Sequence, residues 1–138
     1  MLTSTELLER LERTFGRGSE RLAAESLFNF LTRYPGTTHV SLQLMRQRIP
    51  GAASGGKDVE IIRALQFLAG DGIAFLETRF EIIDADDHPH ELDTQEVKEA
   101  LALKVNPLTG DEDLDVEAKI SMFFVPRPDA VKQLTSRG

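Results

Sequence analysis

Apolar side chains recur at helical spacing along the first half of the chain. In the first stripe they lie at i, i+1, i+4 and i+8, so that they share one helical face. The members of this stripe are Leu7, Leu8, Leu11 and Phe15. Further stripes, each ended by glycine or proline, predict three more helices. We place the four helices at residues 3–15, from 19 to the turn at 34–36, at 41–49 and at 58–70.

The pattern changes after Gly72. Residues Ile73–Ile83 are rich in β-branched and aromatic side chains in rough alternation, which predicts a long strand. The polar segment Asp84–Glu91 predicts a loop or the tip of a strand. The remaining predicted elements are a short helix at 94–103, a strand at 118–125 and a frayed tail at 129–138 with one turn of helix. The chain is therefore predicted to be an α+β protein.

The order of these elements, together with one short motif, resembles a known superfamily. Three helices are followed by two strands that can pair, and the last of the helices ends in the motif Leu65-x-x-Leu68-x-x-Asp71-Gly72-Ile73. This arrangement resembles the winged-helix superfamily, in which such a turn commonly precedes the wing. The resemblance covers about residues 19–84 and 117–126, which together make up about half of the chain.

The resemblance implies a winged-helix-like helical core followed by a two- or three-stranded antiparallel sheet. Two features depart from the superfamily pattern: the loop between the second and third core helices is long, and the predicted helix at 94–103 falls inside the wing. The implied organisation is an N-terminal amphipathic helix over 1–18, a single winged-helix-like domain over 19–126 and a C-terminal tail over 127–138.

Acidic residues are concentrated in the second half of the chain. Residues 1–80 contain 10 Lys and Arg against 9 Asp and Glu, whereas residues 81–138 contain 6 against 14. This distribution, with an overall net charge of −7, excludes a uniformly basic nucleic-acid-binding protein. It still permits a local arginine stripe in the first half of the chain to contact DNA.

Three absences narrow the class of protein further. The sequence has no cysteine, which excludes disulfides and thiolate metal sites. It also has no apolar run of membrane-spanning length and no signal-peptide pattern at its start. We therefore expect a cytoplasmic protein without a membrane partner.

The segment Gly51–Lys57 matches the phosphate-binding pattern G-x-x-x-x-G-K. The next position of that pattern needs Ser or Thr for Mg²⁺, but this chain has Asp58, whose carboxylate would repel phosphate. No buried strand precedes the segment either. We therefore predict a helix–helix loop with Asp58 as the N-cap of the following helix, and we expect no bound nucleotide and no other cofactor.

The winged-helix resemblance implies that the 58–70 helix would read DNA in the major groove. The candidate DNA contacts are Arg46, Arg48, Lys57, Arg63, Gln66 and Arg79. In this hypothesis Arg46 and Arg48 contact phosphates, while Arg63 or Gln66 reads bases. Asp58 and Glu60 oppose it, because they bring negative charge to the start of the same helix. The alternative is a solvated helix face with ion pairs such as Glu60–Arg63.

The segment Asp84–Glu91 contains the densest set of potential metal ligands in the chain, with Asp86, His88 and His90 as candidates. No third ligand from elsewhere is indicated, so a solvated loop tip is the favoured interpretation. No Ser-His-Asp or Cys-His pattern is present, and we therefore predict no catalytic residue. A metal-dependent enzyme that uses this segment is the third hypothesis for function.

The first hypothesis is a non-catalytic interaction module, a small subunit or regulator within a larger bacterial assembly. The stripe of Leu7, Leu8, Leu11 and Phe15 would dock on a protein partner or on a second copy of the chain, as in a homodimer. The alternative for this stripe is packing on the core of its own chain. A DNA-binding transcriptional regulator with the 58–70 helix in the major groove is the second hypothesis.

Overall fold

The computed structural model describes residues 3–135, which form seven helices and one three-stranded antiparallel sheet. The predicted α+β class is therefore confirmed. The elements are α1 (Ser4–Phe15), α2 (Ser19–Arg33), α3 (Leu42–Arg48), α4 (Asp58–Leu68), β1 (Leu76–Ile83), β2 (Pro89–Leu92), α5 (Thr94–Leu103), α6 (Val116–Lys119), β3 (Ile120–Pro126) and α7 (Pro128–Thr135). None of the helices within the described residues is long and apolar enough to cross a membrane.

Helices α1, α4 and α5 differ in how their first residues are capped. Thr3 caps α1 through a reciprocal capping box with Glu6, and Asp93 caps α5 through a second capping box with Glu96. The N-cap of α4 is Lys57, so the predicted cap Asp58 is wrong by one residue. Asp58 lies inside the first turn of α4, where its negative charge interacts favourably with the positive end of the helix dipole.

Two further differences concern the second half of the chain. The predicted strand at Ile73–Ile83 begins only at Leu76, because the preceding residues form a turn with Gly72 at φ +83°. The segment predicted as a loop or strand tip contains β2, and the tail forms a helix of 8 residues, longer than the predicted single turn. The short helix α6 stands just before β3, where the sequence predicted the start of a strand.

The chain divides into two compact units. One unit, which we call the helical unit, comprises residues 1–77 together with 124–138, and the other comprises Thr78–Phe123 and is called the acidic unit. The chain enters the acidic unit within β1 and leaves it within β3. The predicted organisation into segments 1–18, 19–126 and 127–138 stays a prediction.

The core of the helical unit is centred on α2, which packs against α1, α3, α4 and α7. The most deeply buried side chains include Leu27 and Leu31 of α2 and Leu65 and Leu68 of α4. The backbones of Val40 and Phe124 form an antiparallel bridge, with N···O distances of 2.8 and 2.9 Å. This bridge attaches the segment between α2 and α3 to the end of β3.

The acidic unit has a smaller core of its own. Five residues are buried in it, and the partly buried Phe80 and Ile120 pack against them. These five residues are Ile82, Leu92, Val97, Ala100 and Val116. The strand order is β2-β1-β3, and the register of the first two strands places Phe80 opposite Leu92 and Ile82 opposite His90. Phe80, Ile82 and Leu92 therefore share one face of the sheet.

Candidate functional site

The guanidinium of Arg46, a predicted phosphate contact, is paired with an acidic side chain of the same unit. Arg46 donates from Nε to Oδ1 of Asp58 at 2.9 Å and from Nη2 to Oδ2 of the same carboxylate. Such bidentate arginine–carboxylate pairs are among the stronger polar contacts in proteins. The hydrogen bonds lower the pKa of Asp58 and raise the pKa of Arg46. A phosphate would have to displace this ion pair in order to bind Arg46.

The exposed face of α4 carries Val59, Arg63 and Gln66, at i, i+4 and i+7. Arg63 Nη1 lies 3.7 Å from Oε2 of Glu20, a residue of α2, whereas the sequence suggested Glu60 as its partner. Lys57 stands half-buried at the start of the helix. Within this face Arg63 is the one cation, and it faces a carboxylate.

Arg79 of β1 is likewise paired with an acidic residue. Its Nη1 lies 3.1 Å from Oε1 of Glu91 in β2. Glu81 stands directly opposite Glu91 in the strand register, an arrangement in which like charges destabilise a sheet. Arg79 is the diagonal neighbour of Glu91 on the same face of the sheet, and its positive charge offsets the repulsion between Glu81 and Glu91. Its position is explained by the sheet without a nucleic acid.

Arg48 contacts aromatic rings of the helical unit. Its guanidinium carbon lies 4.7 Å from the centre of the Phe30 ring and 5.9 Å from that of Tyr34. This is cation–π geometry. The predicted DNA contacts thus divide into three arginines that face carboxylates, one that stacks on aromatic rings, and the two residues Lys57 and Gln66.

The predicted docking stripe on α1 lies against the core of its own unit. Leu7 and Leu11 are 1% and 0% exposed, and Leu8 and Phe15 are partly buried. The ring of Phe15 meets that of Phe67 edge-to-face, with the ring centres 6.0 Å apart. The stripe therefore lies where the alternative prediction, packing on the chain's own core, placed it.

The histidine-containing segment is organised around one carboxylate. Asp84 accepts hydrogen bonds from the backbone N–H groups of Asp86 at 2.8 Å and His88 at 2.9 Å, and its Oδ2 lies 2.7 Å from Nε2 of His90. The backbone hydrogen bond from His88 is the largest of several contacts that lower the pKa of Asp84 to about 2. Asp84 therefore closes the turn between β1 and β2. Within residues 3–135, no cluster of three or more His, Asp or Glu residues is arranged to hold a metal ion.

We expect Asp84→Asn to destabilise the protein at pH 7, since the turn loses a charged acceptor. The native pKa of about 2 lies below the ordinary 3.8, so ionised Asp84 stabilises the fold above about pH 4. This stabilisation declines as the pH falls from about 4 towards 2. Urea unfolding curves of both proteins at several pH values should therefore converge at acid pH. The control is Asp86→Asn at the exposed neighbouring position, and equal effects of the two variants at pH 7 would contradict the assignment.

The glycine-rich segment that matches a phosphate-binding pattern connects α3 to α4. Two hydrogen bonds form turns within it: the N–H of Gly55 donates to the oxygen of Ala52 at 3.1 Å, and the N–H of Asp58 donates to the oxygen of Gly55 at 3.3 Å. Gly55 has φ +87°, a conformation that favours glycine. The glycine at position 55 is therefore explained by the turn that it forms.

The acidic unit contains a structured turn at residues 104–110. Helix α5 ends at Lys104, whose φ of +55° reverses the chain direction. The side-chain oxygen of Asn106 then accepts from the N–H of Leu108 at 2.9 Å, and its backbone oxygen accepts from Gly110 at 2.8 Å. These contacts hold the turn beside α5.

A groove of about 270 Å³ lies between α5 and this turn, at residues that the sequence did not indicate as a site. Glu96, Glu99 and Leu103 line the helix side at i, i+3 and i+7, and Leu103 is 68% exposed. The other lining residues are Ala100, Val105, Asn106, Pro107 and Gly110. The groove therefore combines apolar side chains with carboxylates. The i, i+3, i+7 spacing was visible in the sequence, but the opposite wall was not.

Comparison of this chain with known protein families, with curated proteins and with solved structures found no match.

Proposed function

We propose that this chain is a non-catalytic interaction module on a winged-helix-like core, and that its acidic unit binds a basic segment of a protein partner. The order α2, α3, α4, then β1 and β3 supports a winged-helix-like core. The turn after α4 supports it too, because Gly72 adopts φ +83° and the N–H of Phe75 donates back to the oxygen of Leu68 at 2.9 Å. Helix α5 then corresponds to the helix inserted in the wing.

The observation that carries the proposal is the separation of charge between the units. The acidic unit contains 13 acidic and 4 basic residues, a net charge of −9, whereas the rest of the chain contains 10 acidic and 12 basic residues. A field of one sign attracts oppositely charged partners and accelerates their association. A basic peptide or protein segment fits this field, and the phosphates of a nucleic acid do not.

The groove beside α5 adds an apolar contact to the negative charge of the acidic unit. Leu103 exposes most of its surface beside Glu96 and Glu99, so that an apolar contact is surrounded by acceptors for Lys or Arg. Interfaces are commonly built in this way, with an apolar centre and a polar rim. A second copy of the same unit fits poorly, because two surfaces of charge −9 repel each other.

The contacts of the arginines favour this function over DNA binding. Arg46, Arg63 and Arg79 face Asp58, Glu20 and Glu91, respectively. A duplex would therefore have to break existing ion pairs before these arginines contact phosphates. Membership of a larger bacterial assembly and a cytoplasmic location stay predictions.

The proposal is tested with a basic amphipathic peptide, lysine-rich with leucines on one helical face. We expect the full chain to bind it in a salt-dependent manner. Leu103→Ser should weaken binding by about tenfold or more, since burial of a leucine is worth about 1.5–3 kcal/mol. Isothermal titration calorimetry at two salt concentrations measures both effects.

Two matched variants serve as controls. Leu114→Ser removes an equally exposed leucine, 72% accessible, that does not line the groove, and should leave the peptide affinity unchanged. Glu99→Lys should weaken binding more than Glu117→Lys. If the leucine variants behave alike, or if the chain binds duplex DNA and not the peptide, the proposal is wrong.

A further inference from the structure

A second groove, of about 240 Å³, lies in the helical unit at the end of α2. Its lining residues are Ser26, Asn29, Phe30, Arg33, Tyr34 and Arg48. The proposed function makes no use of this groove, and none of the lining side chains is a carboxylate. It is a polar, cationic and aromatic surface in a chain whose net charge is −7.

The two arginines of this groove differ from most arginines of the chain. Six others lie within 4 Å of an acidic oxygen: Arg17, Arg21, Arg46, Arg63, Arg79 and Arg127. Neither Arg33 nor Arg48 forms such an ion pair among residues 3–135. Both side chains are exposed, so their charges are available to an anion.

The aromatic part of the groove is held in place by backbone contacts. Tyr34 follows the last residue of α2, and its backbone N–H donates to the backbone oxygen of Phe30 at 2.8 Å. The backbone oxygen of Tyr34 accepts a hydrogen bond from Oγ1 of Thr37 at 2.8 Å. The centres of the Phe30 and Tyr34 rings lie 5.0 Å apart, and the guanidinium of Arg48 stacks over the Phe30 ring. Tyr34 remains 47% exposed and offers a flat surface beside the two cations.

We propose that this groove binds a single-stranded nucleic acid, with Arg33 and Arg48 on phosphates and a base stacked on Tyr34. Aromatic platforms beside arginines are the common means by which proteins hold single strands without sequence preference. A base paired within a duplex cannot reach the ring in this way. The groove is small, which limits the contact to one or two nucleotides and predicts weak affinity.

The test is a fluorescence-anisotropy titration of the full chain with a short labelled oligothymidylate at several salt concentrations. Two phosphate contacts predict a slope of log K against log salt of about −1.4, from about −0.7 per contact. Arg33→Gln and Arg48→Gln should each reduce the slope by about 0.7. Tyr34→Ala should weaken binding by about tenfold, and Tyr34→Phe should restore it, since the ring is kept.

Arg10→Gln is the matched control, because this exposed arginine of α1 lies outside the groove. The binding curve of this variant should equal that of the wild-type chain.

Chemical-shift mapping of the unmodified protein gives a second measurement, and the residues whose shifts change should cluster at 26–34 and 48. The proposal fails if the oligonucleotide does not bind at low salt. It also fails if Arg10→Gln loses as much affinity as Arg48→Gln, if a duplex of mixed sequence binds better, or if inorganic phosphate alone shifts these residues. None of these results bears on peptide binding by the acidic unit.

Discussion

Leu65→Ala is expected to lower the free energy of unfolding by about 3 kcal/mol, within the range of about 2–5 kcal/mol found for buried leucines. Leu65 is 1% exposed on α4 and belongs to the core shared by α1, α2, α3 and α7. Truncation removes apolar burial and leaves a cavity that packed neighbouring helices fill only in part. Urea unfolding followed by circular dichroism measures the loss.

The adjacent residue provides the control for this variant. Gln66 is exposed on the same helix, and alanine is an equally good helix former, so Gln66→Ala should change stability by less than about 0.5 kcal/mol. A loss below about 1 kcal/mol for Leu65→Ala would mean that the core is packed differently from the arrangement described here.

Ile82→Ala is expected to destabilise the acidic unit by a similar amount, but with a more local consequence. Ile82 is 0% exposed and is one of the five residues buried in the core of the acidic unit. Truncation of its side chain therefore removes a large share of the apolar surface buried in that core. Amide hydrogen exchange in Thr78–Phe123 should accelerate by roughly 30-fold or more, which corresponds to about 2 kcal/mol. Amides in the core of the helical unit, whose buried residues form a separate cluster, should keep their protection.

Ile83→Ala tests whether burial is the cause. Ile83 follows Ile82 on β1 but points to the other face of the sheet and is 38% exposed. Its truncation should have less than half the effect on exchange. Equal effects at the two positions would contradict the assignment of the buried face.

The sequence predicted best where one local signal decided the structure. Asp93 with Glu96 is a capping box, and helix α5 follows it as predicted. The four apolar stripes of the first half each correspond to a helix, because a repeat close to 3.6 residues places apolar side chains on one face. The predicted ends of elements were less accurate, since β1 begins at Leu76 and not at Ile73.

The candidate site was harder to predict, because it depends on contacts between distant residues. Arg46 and Asp58 are separated by 12 positions and pair only because α3 packs against α4. The sequence predicted Arg46 as a phosphate contact and did not indicate this pairing with Asp58. The groove beside α5 was missed for the same reason, since its second wall is a turn whose position follows from Lys104 and Asn106.

The sequence by itself determined the helical and strand periods, the α+β class and the concentration of negative charge after residue 80. These properties are local or additive, so that each residue contributes independently of its distant neighbours. Only the tertiary structure decided that the Leu7 and Leu11 side chains are buried and that Arg33 and Arg48 face no carboxylate within residues 3–135. Burial and charge pairing depend on which elements pack together, and that packing is a property of the whole chain.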